Sequence, residues 1–262
     1  KALGSPSSAS PPPAPSNASA AVAGAVTPRT IAERILGIRG TVVVVEPAGG
    51  ERQIKSVVEL PQGDFDIVSV TSNYSEGMRD ADMQAFASLR KLRRLNIQNS
   101  EITGSGFTYF QGHPALENML VNRCPLTDAS LAHLVAIPKL TELDVAFSPV
   151  SDAGLLHLQR IPQLERINLI KTNVTDVGMR TLAGLTRLRM IYLDSTSVGD
   201  AGLELISGLQ DLEVVSLRAT RVTDRSVQSI SRMKSLRQMW LRDSPISDAA
   251  VQALQQQKPG AT

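Results

Sequence analysis

Six aspartates recur every 24 residues in the second half of the chain, each after a Ser, Thr or Gly residue: Asp128, Asp152, Asp176, Asp200, Asp224 and Asp248. Carboxylates could bind calcium or magnesium, but such a site needs several oxygen ligands close together. No second carboxylate stands at ligand spacing from any of the six. Since each Asp precedes an apolar stripe, we interpret it as the N-cap of its own helix, where a carboxylate accepts free N–H groups and suits the helix dipole.

The three histidines and the single cysteine offer little further chemistry. His113 falls in an apolar helix column, which predicts a core or edge histidine. His133 and His157 are 24 residues apart, but a metal ion would need a third ligand. Cys124 occupies a column that otherwise holds Ser or Thr, which predicts a buried thiol and not a reactive nucleophile. Motifs of hydrolases, phosphate-binding loops and zinc peptidases are missing from the sequence. We therefore predict that the protein is not an enzyme and takes no cofactor or metal.

The 24-residue interval also governs the apolar residues, over seven copies without an insertion. The first leucine of each copy is Leu92, Leu116, Leu140, Leu164, Leu188, Leu212 or Leu236. Each copy starts with alternating apolar residues, as in 164–170, which predict a strand with one buried face. It ends with apolar residues three positions apart, such as Met179, Leu182 and Leu185, which predict a short helix. No copy can bury its own apolar face, so the copies must stack.

This pattern resembles the leucine-rich repeat family, whose consensus is Leu-x-x-Leu-x-Leu-x-x-Asn/Cys-x-Leu. One copy places Leu164, Ile167, Leu169, Thr172 and Val174 at those positions, and the resemblance covers about residues 66–257. The Thr/Ser-Asp-x-Gly-Leu signature is most similar to the bacterial and cysteine-containing subfamilies. The resemblance implies an α/β fold. The architecture expected from the resemblance is a right-handed solenoid, or horseshoe, with a parallel β-sheet on the concave face and short helices on the convex face. The hydroxyls that replace Asn are expected to bond the turning backbone.

Composition divides the chain into three parts. Residues 1–28 are almost all Ser, Pro, Ala and Gly, which predicts a disordered linker. Residues 29–64 are predicted to form an N-terminal cap: a helix with Ile31, Ile35 and Ile38 on one face, then a β-hairpin from 41–46 and 52–60. A small separate ligand-binding domain is the alternative. Residues 65–262 form the repeat domain, with 65–70 as its first strand.

Net charge and hydropathy limit the classes of partner that the sequence predicts. The net charge is +2, which is too small for a nucleic-acid footprint. No apolar run reaches the length of a spanning helix, so we expect no membrane insertion. A monomer is expected. The chain starts at Lys1 and the linker resembles a stalk, which favours a secreted or surface-tethered protein, with a cytoplasmic location as the alternative.

Side chains that alternate with the buried ones should form an exposed concave surface. Its early repeats are polar, whereas the later ones combine apolar, aromatic and charged residues, the composition of binding hot spots. The predicted partner-binding residues are Ile170, Met190, Tyr192, Asp194, Val214, Arg218, Trp240 and Arg242. As an alternative, these residues support cross-strand packing, or Trp240 shields the sheet edge.

Together these features predict a non-catalytic scaffold that binds a protein or peptide on its concave face. Two alternatives stay open. One is a carbohydrate or cell-surface recognition module held on the stalk, because aromatic residues with polar neighbours also suit sugars. The other is a regulatory arm of a larger protein.

Overall fold

The computed structural model describes residues 26–73 and 75–258 as one sheet with helices packed along it. Of the predicted linker, residues 1–28, the first 25 residues lie outside the described part of the chain. The strands are β1 (Thr41–Val45), β2 (Glu51–Ile54), β3 (Asp66–Ser72), β4 (Arg94–Ile97), β5 (Asn118–Leu120), β6 (Glu142–Asp144), β7 (Arg166–Asn168), β8 (Met190–Tyr192), β9 (Val214–Ser216) and β10 (Gln238–Trp240). The helices are α1 (Pro28–Gly37), α2 (Met83–Ala87), α3 (Leu131–Leu134), α4 (Asp152–Leu158), α5 (Asp176–Ala183), α6 (Asp200–Ile206), α7 (Val227–Arg232) and α8 (Asp248–Gln257).

The strands follow the order β10-β9-β8-β7-β6-β5-β4-β3-β1-β2. Strands β3 to β10 pair in parallel, and from β4 onward each residue pairs with the residue 24 positions later, as Leu143 does with Ile167. Parallel neighbours require a crossover, which the loop and short helix or 3-10 turn of each repeat provide. This register confirms the predicted solenoid of seven stacked copies.

The apolar columns form one continuous core between the sheet and the helices. In the fourth column of the repeat, the residues from Leu95 to Val215 are at most 1% exposed. The last member, Met239, is only half-buried. Each layer is therefore covered by the next one, and the last layer is not.

The Ser and Thr hydroxyls that replace the Asn of the consensus bond the backbone where the chain turns after a strand, as expected. The Thr172 hydroxyl donates to the Leu169 carbonyl at 2.7 Å, and Thr196 bonds Leu193 in the same way at 2.6 Å. Cys124 takes this position in its own repeat, where it is 2% exposed and its Sγ lies 3.1 Å from Ser100 Oγ. Burial raises the pKa of the Cys124 thiol. The predicted buried thiol is confirmed.

The N-terminal segment packs on the first strands and differs in detail from the prediction. Helix α1 begins at Pro28 with Thr27 as its N-cap, and Ile31 and Ile35 face the core. Ile38 is not on that face, because the helix ends at Gly37 and Ile38 is 36% exposed. Strands β1 and β2 form the predicted hairpin. The second strand is shorter than expected, since the chain turns into a 3-10 segment at Val57–Glu59.

The aspartates do not cap their own helices, so that interpretation is wrong. The N-cap is the preceding residue, as at Thr175, whose hydroxyl accepts the Val177 N–H at 3.2 Å. The Asp152 carboxylate instead reaches the following repeat. There it accepts the Thr175 N–H at 2.8 Å, the Thr175 hydroxyl at 2.6 Å and the Gly178 N–H at 3.0 Å. The next repeat thus offers donors beside the carboxylate, while the helix already has its own capping hydroxyl.

We call this inter-repeat bond the aspartate clamp. It joins Asp80 to Thr103, Asp128 to Ser151, Asp152 to Thr175, Asp176 to Gly199, Asp200 to Thr223 and Asp224 to Ser247.

The clamp explains the glycine in the Asp-x-Gly signature. A Cβ at Gly178 would lie 2.4 Å from the Asp152 carboxylate, well inside van der Waals contact, so a larger residue requires a local shift. The repeats that carry Ser226 and Ala250 at this position still keep the clamp to Asp200 and Asp224.

One repeat has Gly104 where the clamp aspartate would stand, and the next repeat then carries Ser130 in place of the glycine. A Cβ at Gly104 would lie 2.4 Å from the Ser130 Cβ. The two positions therefore share a single space between adjacent repeats.

Candidate binding face

The predicted partner-binding residues lie on or just after neighbouring strands. We call the side of the sheet that points away from the helices the sheet face. Met190 and Tyr192 belong to β8, Val214 to β9 and Trp240 to β10. Tyr192 pairs with Ser216, which in turn pairs with Trp240, so the two aromatic residues stand two strands apart. The other predicted residues, Ile170, Asp194, Arg218 and Arg242, each come two residues after a strand.

Burial separates these residues into two groups. Five of the predicted residues are half-buried: Ile170, Met190, Tyr192, Asp194 and Trp240. Two others, Arg218 and Arg242, are exposed. These seven residues form what we call the C-terminal patch. Val214 is only 5% exposed, so its predicted surface position is wrong. It lies in register between Met190 and Gln238 on the neighbouring strands.

Hydrogen bonds and a cation–π contact order the C-terminal patch. Asp194 accepts the Ser216 hydroxyl and, at 3.0 Å, the N–H of Arg218. The Arg218 guanidinium lies 5.4 Å from the centre of the Trp240 ring, within the range of a cation–π attraction. The Tyr192 hydroxyl lies 3.9 Å from Met190 Sδ. Contacts within the chain therefore position Asp194, Arg218 and Trp240 relative to one another.

The first repeats carry a different kind of surface. The Glu142 side chain is 13% exposed and lies between Arg94 at 3.6 Å and Arg166 at 3.2 Å. Its carboxylate also accepts the Asn118 amide at 2.6 Å. These four residues form what we call the N-terminal network. They line a polar depression of about 260 Å³. Here the polar groups satisfy one another within the sheet face.

Asp144 adds a second carboxylate next to this network. Burial raises the pKa of its carboxyl, although the Ala146 N–H at 2.9 Å and the Asn122 amide at 3.0 Å favour the ionised form. These donors belong to the same sheet, so the Asp144 carboxylate also forms its hydrogen bonds within the protein.

A cluster that the sequence pattern did not indicate lies beside the sheet face. Phe147 is 37% exposed, with the Arg123 guanidinium 4.0 Å and the Lys171 ammonium 5.1 Å from its ring centre. All three residues have positive φ, between 52° and 57°. Their N–H groups donate to the next repeat, as Phe147 does to Ile170 at 2.7 Å. The column has no common residue type, so only the constant spacing could have indicated it.

Of the three histidines, His113 has a structural role. His113 is 1% exposed, as predicted for a core histidine. Burial lowers the pKa of its imidazole, whose Nε2 lies 3.1 Å from the Leu89 carbonyl and whose Nδ1 accepts the Leu116 N–H at 3.1 Å. Among residues 26–73 and 75–258, no group of three or more His, Cys, Asp and Glu side chains could hold a metal ion. In the same residues, every helix is too short or too polar to cross a membrane.

Comparison with known proteins agrees with the repeat architecture. A family model described as a leucine-rich repeat matches residues 136–158. Curated protein sequences give no match. Among solved structures, internalin C2 of Listeria monocytogenes has a TM-score of 0.57 at 19% identity, over 72% of this chain and 77% of that chain. A second internalin of that bacterium, inlF, has a TM-score of 0.50 at 18% identity, over 72% of this chain and 58% of that chain.

These matches support leucine-rich repeats and the solenoid fold. They do not separate the bacterial from the cysteine-containing subfamily, so that part of the resemblance stays a prediction.

Proposed function

We propose that this chain of leucine-rich repeats is a non-catalytic module that binds a protein or peptide through the C-terminal patch. The observation that carries the proposal is the Trp240 ring, which is half-buried on the sheet face with the Arg218 guanidinium 5.4 Å from its centre. Trp, Tyr and Arg are the residue types most enriched in binding hot spots. Solenoids present extended surfaces of this kind to their partners.

The order of the patch supports tight binding. Each long side chain that a partner immobilises costs free energy, about 0.5–1.5 kcal/mol. The Arg218 guanidinium already lies against the Trp240 ring, the Asp194 carboxylate holds the Arg218 backbone N–H, and the sheet fixes the strands beneath them. Less ordering therefore remains to be done when a partner binds.

Charge favours a partner with acidic groups. Arg218 and Arg242 are exposed at the end of the patch, while Asp194 uses its carboxylate on Ser216 and Arg218. A peptide that combines an apolar or aromatic side chain with a carboxylate would complement both features.

Replacing Tyr192→Ala together with Trp240→Ala tests the proposal. Partners captured by the immobilised protein would be identified, and their affinity for the double variant measured by calorimetry. Loss of a hot-spot residue costs at least about 2 kcal/mol, so we expect binding to weaken at least about 30-fold. Tyr109→Ala is the matched control, because Tyr109 is an exposed aromatic residue in the 3-10 segment Ser105–Phe110. Unchanged capture by a folded double variant would contradict the proposal.

Carbohydrate recognition is the second candidate, and the same aromatic residues favour it. Tyr192 and Trp240 expose part of their rings beside polar groups, and such surfaces also stack on sugars. A glycan array run with the wild type and the double variant distinguishes the two candidates. Glycan binding that disappears in the double variant, without protein capture, would replace the peptide by a sugar.

A further inference from the structure

Arg123, Phe147 and Lys171, which we call the Phe147 cluster, combine an exposed aromatic ring with two exposed cations. Arg123 belongs to the repeat before Phe147 and Lys171 to the repeat after it. The backbone N–H of each of the three donates to a carbonyl of the next repeat, at 2.7–2.8 Å. The strand spacing therefore continues through the cluster, and it places the two cations about 10 Å apart with the ring between them.

The cluster carries positive charge that the chain itself does not neutralise. In the described part of the chain, no carboxylate lies within ion-pair distance of Arg123 or Lys171. In the repeats on either side, Asp144 accepts the Ala146 N–H at 2.9 Å and Asp194 accepts an N–H of its own sheet neighbour at 3.0 Å. The complementary negative charge must therefore come from a ligand.

The ring and the cations together favour an acidic group. The faces of an aromatic ring attract cations, whereas its edge is positive. Both cations of the cluster lie over the Phe147 ring, so a carboxylate at the exposed ring edge would be attracted by the edge and by both of them. A guanidinium can bind a carboxylate through two parallel hydrogen bonds, and the stacked position of Arg123 restricts its side chain before the ligand arrives.

The Phe147 cluster borders the C-terminal patch. Lys171 directly follows Ile170 of that patch, and the Ile170 carbonyl accepts the Phe147 N–H. We infer that the cluster binds an acidic side chain of a peptide partner, the same peptide whose apolar or aromatic side chain meets the C-terminal patch. In this respect the inference rests on the proposed function.

The repeat spacing sets the distance between the two contacts. Four strand spacings, about 19 Å, separate the strand before Phe147 from the strand of Trp240. An extended peptide that crosses the strands covers this distance with about six residues. The acidic residue should therefore stand about six positions from the residue that meets Trp240.

A peptide selection tests the cluster without a known partner. A displayed library of random peptides of about 12 residues, long enough to reach both contacts, would be selected on the immobilised full-length chain. We expect enrichment of Asp or Glu about six positions from an aromatic or aliphatic residue. The selected peptides would then be synthesised and their affinities measured by calorimetry at low and high salt.

Removing the two cations should weaken these peptides. Arg123→Ala with Lys171→Ala should lower the affinity about tenfold and reduce its dependence on salt. Alanine fits the backbone there, since Ala219 occupies an equivalent position at φ 52°. Arg160→Ala with Arg180→Ala is the matched control, because it removes the same charge from exposed residues in or just after helices α4 and α5. The control should bind as the wild type does.

Phe147→Ala separates an organised site from two surface charges. This variant keeps both cations and removes the ring over which they lie. We expect affinity to fall about threefold while the dependence on salt is unchanged. An unchanged affinity would reduce the cluster to two surface charges and overturn the inference.

The outcomes distinguish the cluster from the C-terminal patch. Peptides without acidic enrichment, or peptides that the variant lacking Arg123 and Lys171 binds equally well, would overturn the inference. The proposed function would survive that result if Tyr192→Ala with Trp240→Ala still weakened their binding. Acidic peptides that need the cluster but neither aromatic residue would support the cluster and contradict the proposed function. A selection that retains no peptide would contradict both.

Discussion

The two ends of the stack differ although one repeat geometry joins them. At the N-terminal end, α1 and the β1–β2 hairpin cover the first repeat, and Ile35, Val42 and Ile54 are fully buried. At the C-terminal end, α8 covers the last repeat only in part, and Met239 and Leu241 are half-buried. The comparison shows that a repeat supplies one side of each core layer, and that the other side must come from a cap or another repeat.

The sheet face shows the same contrast. The N-terminal network uses Glu142 to satisfy Arg94 and Arg166 within the sheet. The C-terminal patch leaves Trp240 and Arg242 accessible. The backbone register is constant from β4 to β10. The side chains alone therefore decide in which repeats the polar groups bond to one another and in which they are accessible to a partner.

The largest effect should follow from opening the covered end. Ile35→Ala removes a fully buried side chain and should cost about 2–5 kcal/mol of unfolding free energy, because a cavity remains. The matched variant Leu241→Ala removes a half-buried side chain and should cost less than about 1.5 kcal/mol. Urea unfolding measures both. Equal losses would show that the two ends are covered to the same degree.

A smaller effect should separate a closed repeat junction from the open one. Asp152→Ala leaves three donors of the next repeat, two on Thr175 and one on Gly178, without their acceptor. We expect a loss of about 1–3 kcal/mol. Asp248→Ala is the control, since the described chain offers Asp248 no donor from a following repeat. Its loss should be limited to the helix-dipole contribution, about 0.3–1 kcal/mol. The comparison fails if denaturant unfolding gives the same value for both.

The pH dependence should report the clamp at the first repeat junction. Burial alone would raise the pKa of Asp80, but the hydrogen bonds from Thr103, Gly106 and Gly104 outweigh it and lower the pKa below 3.8. A lowered folded-state pKa stabilises the fold above the unfolded-state value, and this stabilisation is lost as the pH falls through the folded-state pKa. Stability should therefore decrease as the pH falls from the unfolded-state pKa, about 3.9, through the lower folded-state pKa.

The variant Asp80→Asn should reduce this slope, and acid unfolding followed by circular dichroism measures it. Burial would raise the pKa of the Asp200 carboxyl, but hydrogen bonds of the same kind, from Ser226 and Thr223, lower it. The slope should therefore fall further in the double variant with Asp200→Asn. An unchanged slope in both variants would mean that the clamps do not titrate in this range.

Much of the fold could be predicted from local patterns, and less of the candidate site. The register of β4 to β10 and the buried columns follow from residue spacing, whereas the inward hydroxyls were expected from the resemblance to leucine-rich repeats. The sheet-face positions of Tyr192 and Trp240 follow from the alternation along a strand. The burial of Val214 does not, because the exposure of a strand residue depends on the side chains that flank it on neighbouring strands.

The sequence by itself determined the 24-residue stack, because every repeat must bury one apolar face and an identical spacing lets each do so on the next. Only the tertiary structure decided which donors each aspartate accepts and which cations meet Phe147 and Trp240. Those contacts join residues of different repeats, and their geometry depends on the bulk and direction of neighbouring side chains. The partial cover of the last described core layer is likewise visible only once that layer is placed in space.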